Sequence, residues 1–449
     1  MGRTPHHRTR NPIRQIGRPV PAIAHRNEKG MPTDILHELL CQPPEARPVL
    51  LEGRWLGESG DPCWAAKDPA SILEGSGDAL PELPAWLDWH SRKYPDGAAI
   101  GFLSYELARH FESLPLAPNS SLPDFSFAYY PRVERLVVGQ TPRPSPGRSI
   151  SIHANFDFEK YRQAVERVRT YIAAGDVYQA NLTIQFRADL GNEATESIYQ
   201  RLASRGAPFR AFLKTPGRTI LSNSPERFFR VSGNHILTSP IKGTIARDSR
   251  DPERSKARLL SSHKDRAENV MIVDLLRNDL GRICRYESMR ARLWEIETLP
   301  QLFHLVSHVE GTLRREAGIL EILRALFPCG SITGAPKIRA MEILSEIERA
   351  PRGVSMGAIG IIRGVPGSDR CKIDFSVSIR TTVIEKGIAW FNVGGGIVSD
   401  SNPLSEYEEV MLKAQPLFDA LGALPPRPAR PILSTSPATA HQYGFTHLS

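Results

Sequence analysis

Residues 222–244 constrain the fold most, because they combine a β-hairpin pattern with a reactive side chain near each open end. Two β-prone runs, 228–231 and 235–238, flank a turn-forming Ser-Gly-Asn sequence. Asn and Gly residues between such runs favour a tight two-residue turn, here at Gly233 and Asn234. The pattern therefore predicts two antiparallel strands joined at this turn.

The register of this hairpin brings a carboxylate and an amine together. A turn at 233–234 pairs Ser232 with His235, and an uninterrupted ladder then places Glu226 opposite Ile241. Lys242 is the next residue. We therefore expect Glu226 and Lys242 to be neighbours at the foot of the hairpin.

Such a pair can serve catalysis only if its surroundings tune it. A lysine with a pKa of about 10.4 is an ammonium ion at neutral pH and cannot act as a nucleophile. Burial and nearby cations favour the free amine, whereas an adjacent carboxylate favours the ammonium form. Glu226 could act as a general acid or base at the same centre. Spacing alone favours a simpler alternative, in which Glu226 and Lys242 form a surface ion pair.

The charge distribution argues against a nucleic-acid partner. The net charge is +8, but residues 1–30 hold seven basic residues and one acid, so the other 419 residues carry only +2. This head lacks the apolar segment of a secretory signal. We expect a disordered head or a mis-assigned start, with Met31 as an alternative start codon; an organelle transit peptide is the alternative.

The remaining composition suggests a cytoplasmic protein without a membrane span. No window approaches the roughly 18 apolar residues that a membrane helix needs. The five cysteines are odd in number and lack metal-ligand spacing, which fits a reducing cytoplasm. None lies in a Gly-x-Cys-x-Gly context, so any ammonia released from glutamine must come from another polypeptide.

The order of elements predicts an N-terminal part at 31–140, a linker at 141–147, a main domain at 150–424 and a disordered tail at 425–449.

Glu268 lies toward the buried face of a predicted helix at 263–284, where it needs a cation or a donor. Residues 329–337 lead small residues into a helix and predict an anion site. Three glycines at 394–396 allow close approach of a ligand or form a tight bend.

A further helix is predicted with Asn402 as its N-cap and Pro403 in its first turn. It carries Glu406, Glu409 and Lys413 on one face, where solvated ion pairing is the ordinary explanation.

Together these stretches resemble the chorismate-utilising enzymes, most densely from about 161 to 414. The resemblance rests on motifs in the same order: 175–183, 224–228, 240–244, 263–279, 304–307, 330–337, 376–381 and 394–413. A weaker match covers Leu50, Leu51, Glu52 and Gly53. It implies an α+β fold of two intertwined α/β halves with large antiparallel sheets around a deep cleft.

The resemblance also implies site residues. Mg²⁺ would be held by Glu268 and Glu409, with Glu406 as a secondary candidate. His304 matches a catalytic pocket position. The matching substrate-binding positions are Thr244, Ser331, Arg380, Gly394, Gly395, Gly396 and Lys413.

Two positions separate the reactions of the family. Members that add water to chorismate carry Lys where this chain has Gln179, and anthranilate synthases usually carry Ala where it has Lys242. The combination resembles aminodeoxychorismate synthases. We hypothesise that Lys242 attacks C2, Glu226 protonates the departing 4-hydroxyl, and ammonia from a separate glutamine amidotransferase subunit adds at C4. A downstream lyase would then form p-aminobenzoate. Anthranilate synthesis is the alternative.

One stretch departs from the family pattern. Members often have Tyr at two positions where this chain has Ser355 and Ile361. This difference concerns the polarity of the pocket and does not involve Lys242 or the proposed metal ligands.

Overall fold

The structure is a computed structural model that describes residues 32–57, 62–116, 122–136, 150–248, 250–299, 302–364 and 371–424. The predicted basic head at 1–30, the alternative start at Met31, the linker at 141–147 and the tail at 425–449 lie outside these residues. None of the helices within the described ranges is both long and apolar enough to cross a membrane.

The helices of the described residues cover the outer faces of two sheets. They are α1 (Pro32–Leu40), α2 (Leu83–Lys93), α3 (Phe158–Ala173), α4 (Thr195–Ala203), α5 (Pro252–Leu260), α6 (His263–Gly281), α7 (Ile319–Leu326), α8 (Lys337–Glu348) and α9 (Pro403–Leu421). Helix α9 begins as predicted, since the Asn402 side chain accepts hydrogen bonds from the backbone N–H groups of Leu404 and Ser405.

The strands of the described residues form an eleven-stranded and a ten-stranded sheet. The larger sheet contains β1 (Val49–Gly53), β2 (Cys63–Ala66), β6 (Glu134–Leu136), β7 (Ile150–Ala154), β8 (Gln179–Asp189), β9 (Phe209–Thr215), β10 (Arg218–Ser224), β16 (Gly334–Ala335), β19 (Thr381–Glu385), β20 (Ile388–Ile397) and β21 (Ala423–Leu424). The smaller sheet contains β3 (Ser71–Gly75), β4 (Ala98–Leu103), β5 (Phe125–Tyr130), β11 (Arg227–Ser232), β12 (His235–Ser239), β13 (Ile241–Ala246), β14 (Arg290–Thr298), β15 (Leu302–Thr312), β17 (Ala358–Gly364) and β18 (Cys371–Val377).

Strands from distant parts of the chain alternate within each sheet. The path of the larger sheet is β21-β7-β8-β20-β19-β10-β9-β1-β2-β6, and that of the smaller is β13-β15-β12-β11-β18-β17-β4-β5-β3. Within the described residues, every strand pair is antiparallel except β21 with β7. The α+β fold with intertwined halves and large antiparallel sheets is therefore confirmed.

The two sheets pack face to face around an apolar core. Leu51 of β1, Phe102 of β4 and Ile361 of β17 belong to one buried cluster between them. Trp55 is fully buried there, and its indole N–H donates to the Arg210 carbonyl. Helices α3, α4, α8 and α9 pack on the larger sheet, whereas α6 and α7 pack on the smaller one. Helices from the two layers therefore converge on the site described below.

The hairpin at 222–244 forms β11 and β12, and the predicted pair of Ser232 with His235 is confirmed. The uninterrupted ladder is wrong, because a β-bulge shifts the register so that Arg227 pairs with Ser239. The expected backbone pairing of Glu226 with Ile241 is lost. The bulge lies between Arg227 and Arg230, directly after Glu226.

Candidate active site

Lys242 lies at a second β-bulge, between strands β13 and β15. The register of these strands shifts between Ile241 and Thr244, and Gly243 adopts φ 96°, a left-handed conformation that favours glycine. The bulge directs the Lys242 amine to helix α6, where its Nζ lies 3.4 Å from Oε2 of Glu268. The Lys242 side chain is only 14% exposed, so this ion pair is largely withdrawn from solvent.

Glu226 is buried close to this amine. Its carboxylate accepts hydrogen bonds from the Ser331 side chain and the Ile241 backbone N–H, and it lies within electrostatic reach of Lys242. Its Oε1 atom has no hydrogen-bond partner among the described residues. Burial raises the pKa of Glu226 to about 7, although Ser331 and Lys242 oppose the rise. A large fraction of Glu226 is therefore protonated at neutral pH.

A hydrogen-bond chain leads from Glu226 to a buried thiol. Sγ of Cys329 lies 3.3 Å from Oγ of Ser331. Burial raises the pKa of Cys329 to about 12, and the nearby Glu226 carboxylate adds to the rise. Cys329 is therefore a neutral thiol at physiological pH.

Helices α6 and α9 present carboxylates to each other, and lysines pair with them. Nζ of Lys264 lies 4.0 Å from Oε1 of Glu268 and 3.9 Å from Oε1 of Glu406. Nζ of Lys413 lies 2.7 Å from Oε1 of Glu409 and 3.4 Å from the carbonyl oxygen of Gly394. The site thus joins both helices through charge pairs.

The carboxylates of α9 differ in their protonation. Burial raises the pKa of Glu406, and its like-charged neighbour Glu409 adds to the rise, although Ser401 donates a hydrogen bond of 2.8 Å. Burial also acts on Glu409, but the cations Lys413 and Lys264 outweigh it and lower the pKa of Glu409. Glu409 is therefore the more readily ionised of the two.

The carboxylate oxygens of Glu268 and Glu409 are of the ligand type that Mg²⁺ prefers. No group of three or more His, Cys, Asp and Glu side chains within the described ranges is arranged to hold a metal ion. Mg²⁺ needs only one or two protein carboxylates, because waters and substrate oxygens complete its octahedral shell. Glu268 and Glu409 can supply these oxygens once their lysine partners are displaced.

His304 and Arg380 form a second polar group. Nδ1 of His304 lies 2.8 Å from Oγ1 of Thr244, and its Nε2 has no partner among the described residues. Burial lowers the pKa of His304 to about 4, and the cation of Arg380 contributes, so the imidazole is neutral at pH 7. The structure gives the buried Arg380 guanidinium no hydrogen bond or ion pair with the described residues, and burial lowers its pKa. Arg380 can therefore receive an anion without breaking an existing pair.

The three glycines of β20 lie against β8. A Cβ at Gly394 would lie 2.6 Å from the Leu182 carbonyl oxygen, and one at Gly396 would lie 2.5 Å from Nε2 of Gln179. Contact with the β8 backbone is thus sufficient to require Gly394, whereas a Cβ at Gly396 would meet only the Gln179 side chain. A Cβ at Gly395 would instead lie 3.4 Å from Oε2 of Glu406, on the side of the acidic helix.

Gln179 is a buried amide whose Oε1 and Nε2 atoms both lack hydrogen-bond partners among the described residues. Burying two unsatisfied polar atoms is costly unless a ligand or water binds them. The amide lies beside Gly396, at the end of β20 that approaches α9. Gln179 is therefore a candidate contact for a bound small molecule.

Arg352 connects the segment around Ile332 with strand β8. The sequence patterns did not indicate it as a site residue. Its guanidinium binds Glu348 and donates to the carbonyl oxygens of Ile332 (2.8 Å) and Asn181 (2.7 Å). Glu348 also accepts the backbone N–H of Thr183. Arg352 therefore fixes the loop beside Ser331 against strand β8.

The two positions where relatives often carry Tyr have different surroundings. Ser355 is buried, and its Oγ accepts a hydrogen bond of 2.8 Å from the backbone N–H of Asn392 in β20. Ile361 is fully buried between the two sheets. Helix α8 begins at Lys337, with Pro336 as its N-cap, and the Lys337 amine donates to Asp279 at 2.6 Å. The anion site expected at residues 329–337 stays a prediction.

Comparison with known proteins identifies related sequences and structures. The family described as chorismate binding enzyme matches residues 66–419. Aminodeoxychorismate synthase component 1 of Salmonella typhimurium is 36% identical over 386 residues, covering 79% of this chain and 82% of the relative. Anthranilate synthase component 1 of Streptomyces coelicolor is 33% identical over 426 residues, covering 84% and 79%. The structure of anthranilate synthase component I from Streptococcus pneumoniae TIGR4 aligns with a TM-score of 0.66 at 26% identity, covering 87% of this chain and 95% of that chain.

Proposed function

Since the chain belongs to the chorismate-binding enzyme family, we propose that it converts chorismate and ammonia into 4-amino-4-deoxychorismate. The observation that carries the proposal is the largely buried Lys242 amine, 3.4 Å from Glu268 and close to the protonatable Glu226. Anthranilate synthases usually have Ala at this position. Gln179 supports the proposal, because water-adding members carry a lysine there.

Lys242 acts in this proposal as a covalent nucleophile. Its amine forms a bond to C2 of chorismate, both conjugated ring double bonds shift toward C4, and the C4–O bond breaks. Glu226 donates its proton to the departing oxygen, which leaves as water. Ammonia then forms a bond to C4, the electrons of the C2–N bond return to Lys242, and Glu226 accepts a proton from the new ammonium group. The net reaction consumes chorismate and ammonia and yields the amine and water.

Glu226 is suited to both proton transfers. A pKa of about 7 leaves the protonated and ionised forms similar in population near neutral pH. The Ser331 hydrogen bond fixes the carboxylate, whereas the free Oε1 can face the substrate. Neutral His304 supplies a further hydrogen-bonding atom, Nε2, for the substrate.

The substrate carboxylates require cationic partners. Arg380, which is buried and has no ion-pair partner among the described residues, can bind one of them. Lys413 lies at the glycines of β20 and can bind a second carboxylate with their backbone N–H groups. Mg²⁺ would be held by Glu268 and Glu409, with Glu406 nearby, and would supply a Lewis acid for the ring carboxylate.

Ammonia would come from a separate subunit. The name "component 1" of the relatives implies a partner component, and this chain has no Cys in a Gly-x-Cys-x-Gly context. We expect a glutamine amidotransferase as that partner. A separate lyase would consume the product.

Anthranilate synthesis remains the second candidate, because a relative with that name covers 84% of this chain. The purified chain is incubated with chorismate, Mg²⁺ and ammonium, with and without an aminodeoxychorismate lyase. We expect a product that the lyase converts into p-aminobenzoate, with no pyruvate formed before lyase addition. Anthranilate together with stoichiometric pyruvate would replace the proposal by the second candidate.

A further inference from the structure

Lys264 lies between the carboxylates of two helices. It lies one turn before Glu268 on α6, and its Nζ is 4.0 Å from Oε1 of that residue. The same Nζ is 3.9 Å from Oε1 of Glu406 on α9. A single ammonium group therefore neutralises carboxylates from both helices.

Charge rather than packing holds Lys264 in this position. Its side chain is 60% exposed, so little apolar contact fixes it. The acids within electrostatic reach of its ammonium group are Glu406, Glu268, Glu409 and Asp400. Exposed ion pairs contribute little to stability, so Lys264 can leave its partners at small cost.

The other two lysines of the site are held more firmly. Lys242 is only 14% exposed and lies on a strand bulge. Lys413 makes a short ion pair with Glu409 and also donates to the Gly394 carbonyl. Displacing either one breaks contacts that Lys264 does not have. Of these three lysines, Lys264 therefore loses the fewest contacts when a cation binds between α6 and α9.

The charges near the site favour an exchange rather than an addition. Glu268, Glu406 and Glu409 are opposed by three lysines, Lys242, Lys264 and Lys413, and Asp400 adds one further negative charge near Lys264. A divalent cation added to this set would still be repelled by the ammonium nearest to its ligands. Removal of that ammonium lowers the repulsion and frees an oxygen of Glu268.

We propose that Lys264 is a displaceable internal counter-ion that occupies the space between Glu268 and Glu406 until Mg²⁺ binds, and thereby sets the Mg²⁺ affinity. This role rests on the metal site of the proposed function. Lys264 is a positioning residue in this scheme, since it acts through the carboxylates and contacts no reacting atom.

Mg²⁺ alone is titrated by calorimetry into the wild-type chain and the variants Lys264→Met, Lys264→Arg and Lys93→Met. Lys93 lies exposed on α2 over the Trp89 ring and serves as the matched control. We expect Lys264→Met to bind Mg²⁺ roughly five- to tenfold more tightly, because a unit charge near the ligands is removed. The other two variants should bind like the wild type. Unchanged or weaker binding by Lys264→Met would overturn the proposal.

A second measurement uses the wild-type chain. Mass spectrometry follows acylation of individual lysines with and without Mg²⁺, in the absence of chorismate. We expect Lys264 to react at least about threefold faster with Mg²⁺, because it loses its carboxylate partners, while Lys93 stays constant. Equal rates at Lys264 would contradict displacement. Absence of Mg²⁺ binding in all variants would remove both the metal site and this role, whereas product analysis tests amination separately.

Discussion

The amine of Lys242 lies 3.4 Å from a carboxylate oxygen of Glu268, and the two side chains are only 14% and 18% exposed. A strand bulge from the smaller sheet and a helix covering that sheet are needed to form this pair. The partly buried setting distinguishes it from a solvated surface ion pair. The amine is thus held inside the group of residues that the proposed reaction requires.

Replacement of Lys242 by Ala should remove the covalent step. We expect kcat to fall by at least about 10³-fold, as when other enzymes lose their nucleophile. Lys93→Ala, on an exposed helix, should retain wild-type kcat. Product formation at saturating ammonium is measured by chromatography, and a Lys242 adduct is sought by mass spectrometry. Full turnover by Lys242→Ala at high ammonium would contradict a covalent role.

The raised pKa of Glu226 predicts an acid-dependent rate. Because burial raises this pKa to about 7, the proton donor is lost as pH rises through 7. We expect kcat/KM of the free enzyme to decrease above about pH 7. Glu226→Gln should lower kcat by roughly 10²- to 10⁴-fold and remove this dependence. A rate that stays constant from pH 6 to pH 9 in the wild type would argue against Glu226 as the acid.

The same group predicts how stability changes with pH. The pKa of Glu226 is raised from 4.5 to about 7 on folding, so the folded state binds more protons in that interval. Its contribution is therefore fully favourable below pH 4.5 and is lost as pH rises through 7. We expect Glu226→Gln to gain stability relative to the wild type between pH 5 and pH 8. Urea unfolding of the wild type and of Glu226→Gln at pH 5 and at pH 8 measures the difference in their free energies of unfolding. The same difference at both pH values would exclude an altered pKa of Glu226.

The local patterns of the sequence predicted the hairpin turn and the start of α9, because short-range rules determine both. The bulges after Arg227 and at Lys242 were not predicted. They depend on pairing with β18 and β15, whose residues lie far away in the chain. A ladder extrapolated from the turn cannot include such an insertion.

The long-range network of Arg352 was also missed, since Asn181 and Ile332 become its partners only in the folded chain. Lys264 could have been found, because it precedes Glu268 by one helical turn. The glycines at 394–396 were predicted to allow close approach of a ligand or to form a tight bend. For Gly394 the structure shows a different cause, the close contact with the backbone of β8. Sequence patterns therefore supplied the candidate site residues, and tertiary packing determined their geometry.

Ser331 should tune Glu226 through its hydrogen bond. This bond favours the ionised carboxylate and opposes the effect of burial. We expect Ser331→Ala to raise the pKa of Glu226 further, so that the decrease in kcat/KM moves to higher pH. Ser345→Ala, which removes a hydroxyl bonded only to a helix carbonyl, is the control. A profile of Ser331→Ala that overlays the wild type would show that the bond does not influence the acid.

Arg380 should lower the stability of the fold and strengthen the binding of the substrate. Its buried guanidinium has no ion-pair partner within the described part of the chain, and burial disfavours the charged form. We expect Arg380→Met to raise the free energy of unfolding by roughly 1 kcal/mol, because a desolvated charge is removed. The KM for chorismate should rise roughly 10- to 100-fold, since a charge-assisted hydrogen bond is lost. Urea unfolding and steady-state kinetics measure the two effects, and Arg92→Met on exposed α2 is the control. Unchanged KM with increased stability would mean that Arg380 binds no substrate carboxylate.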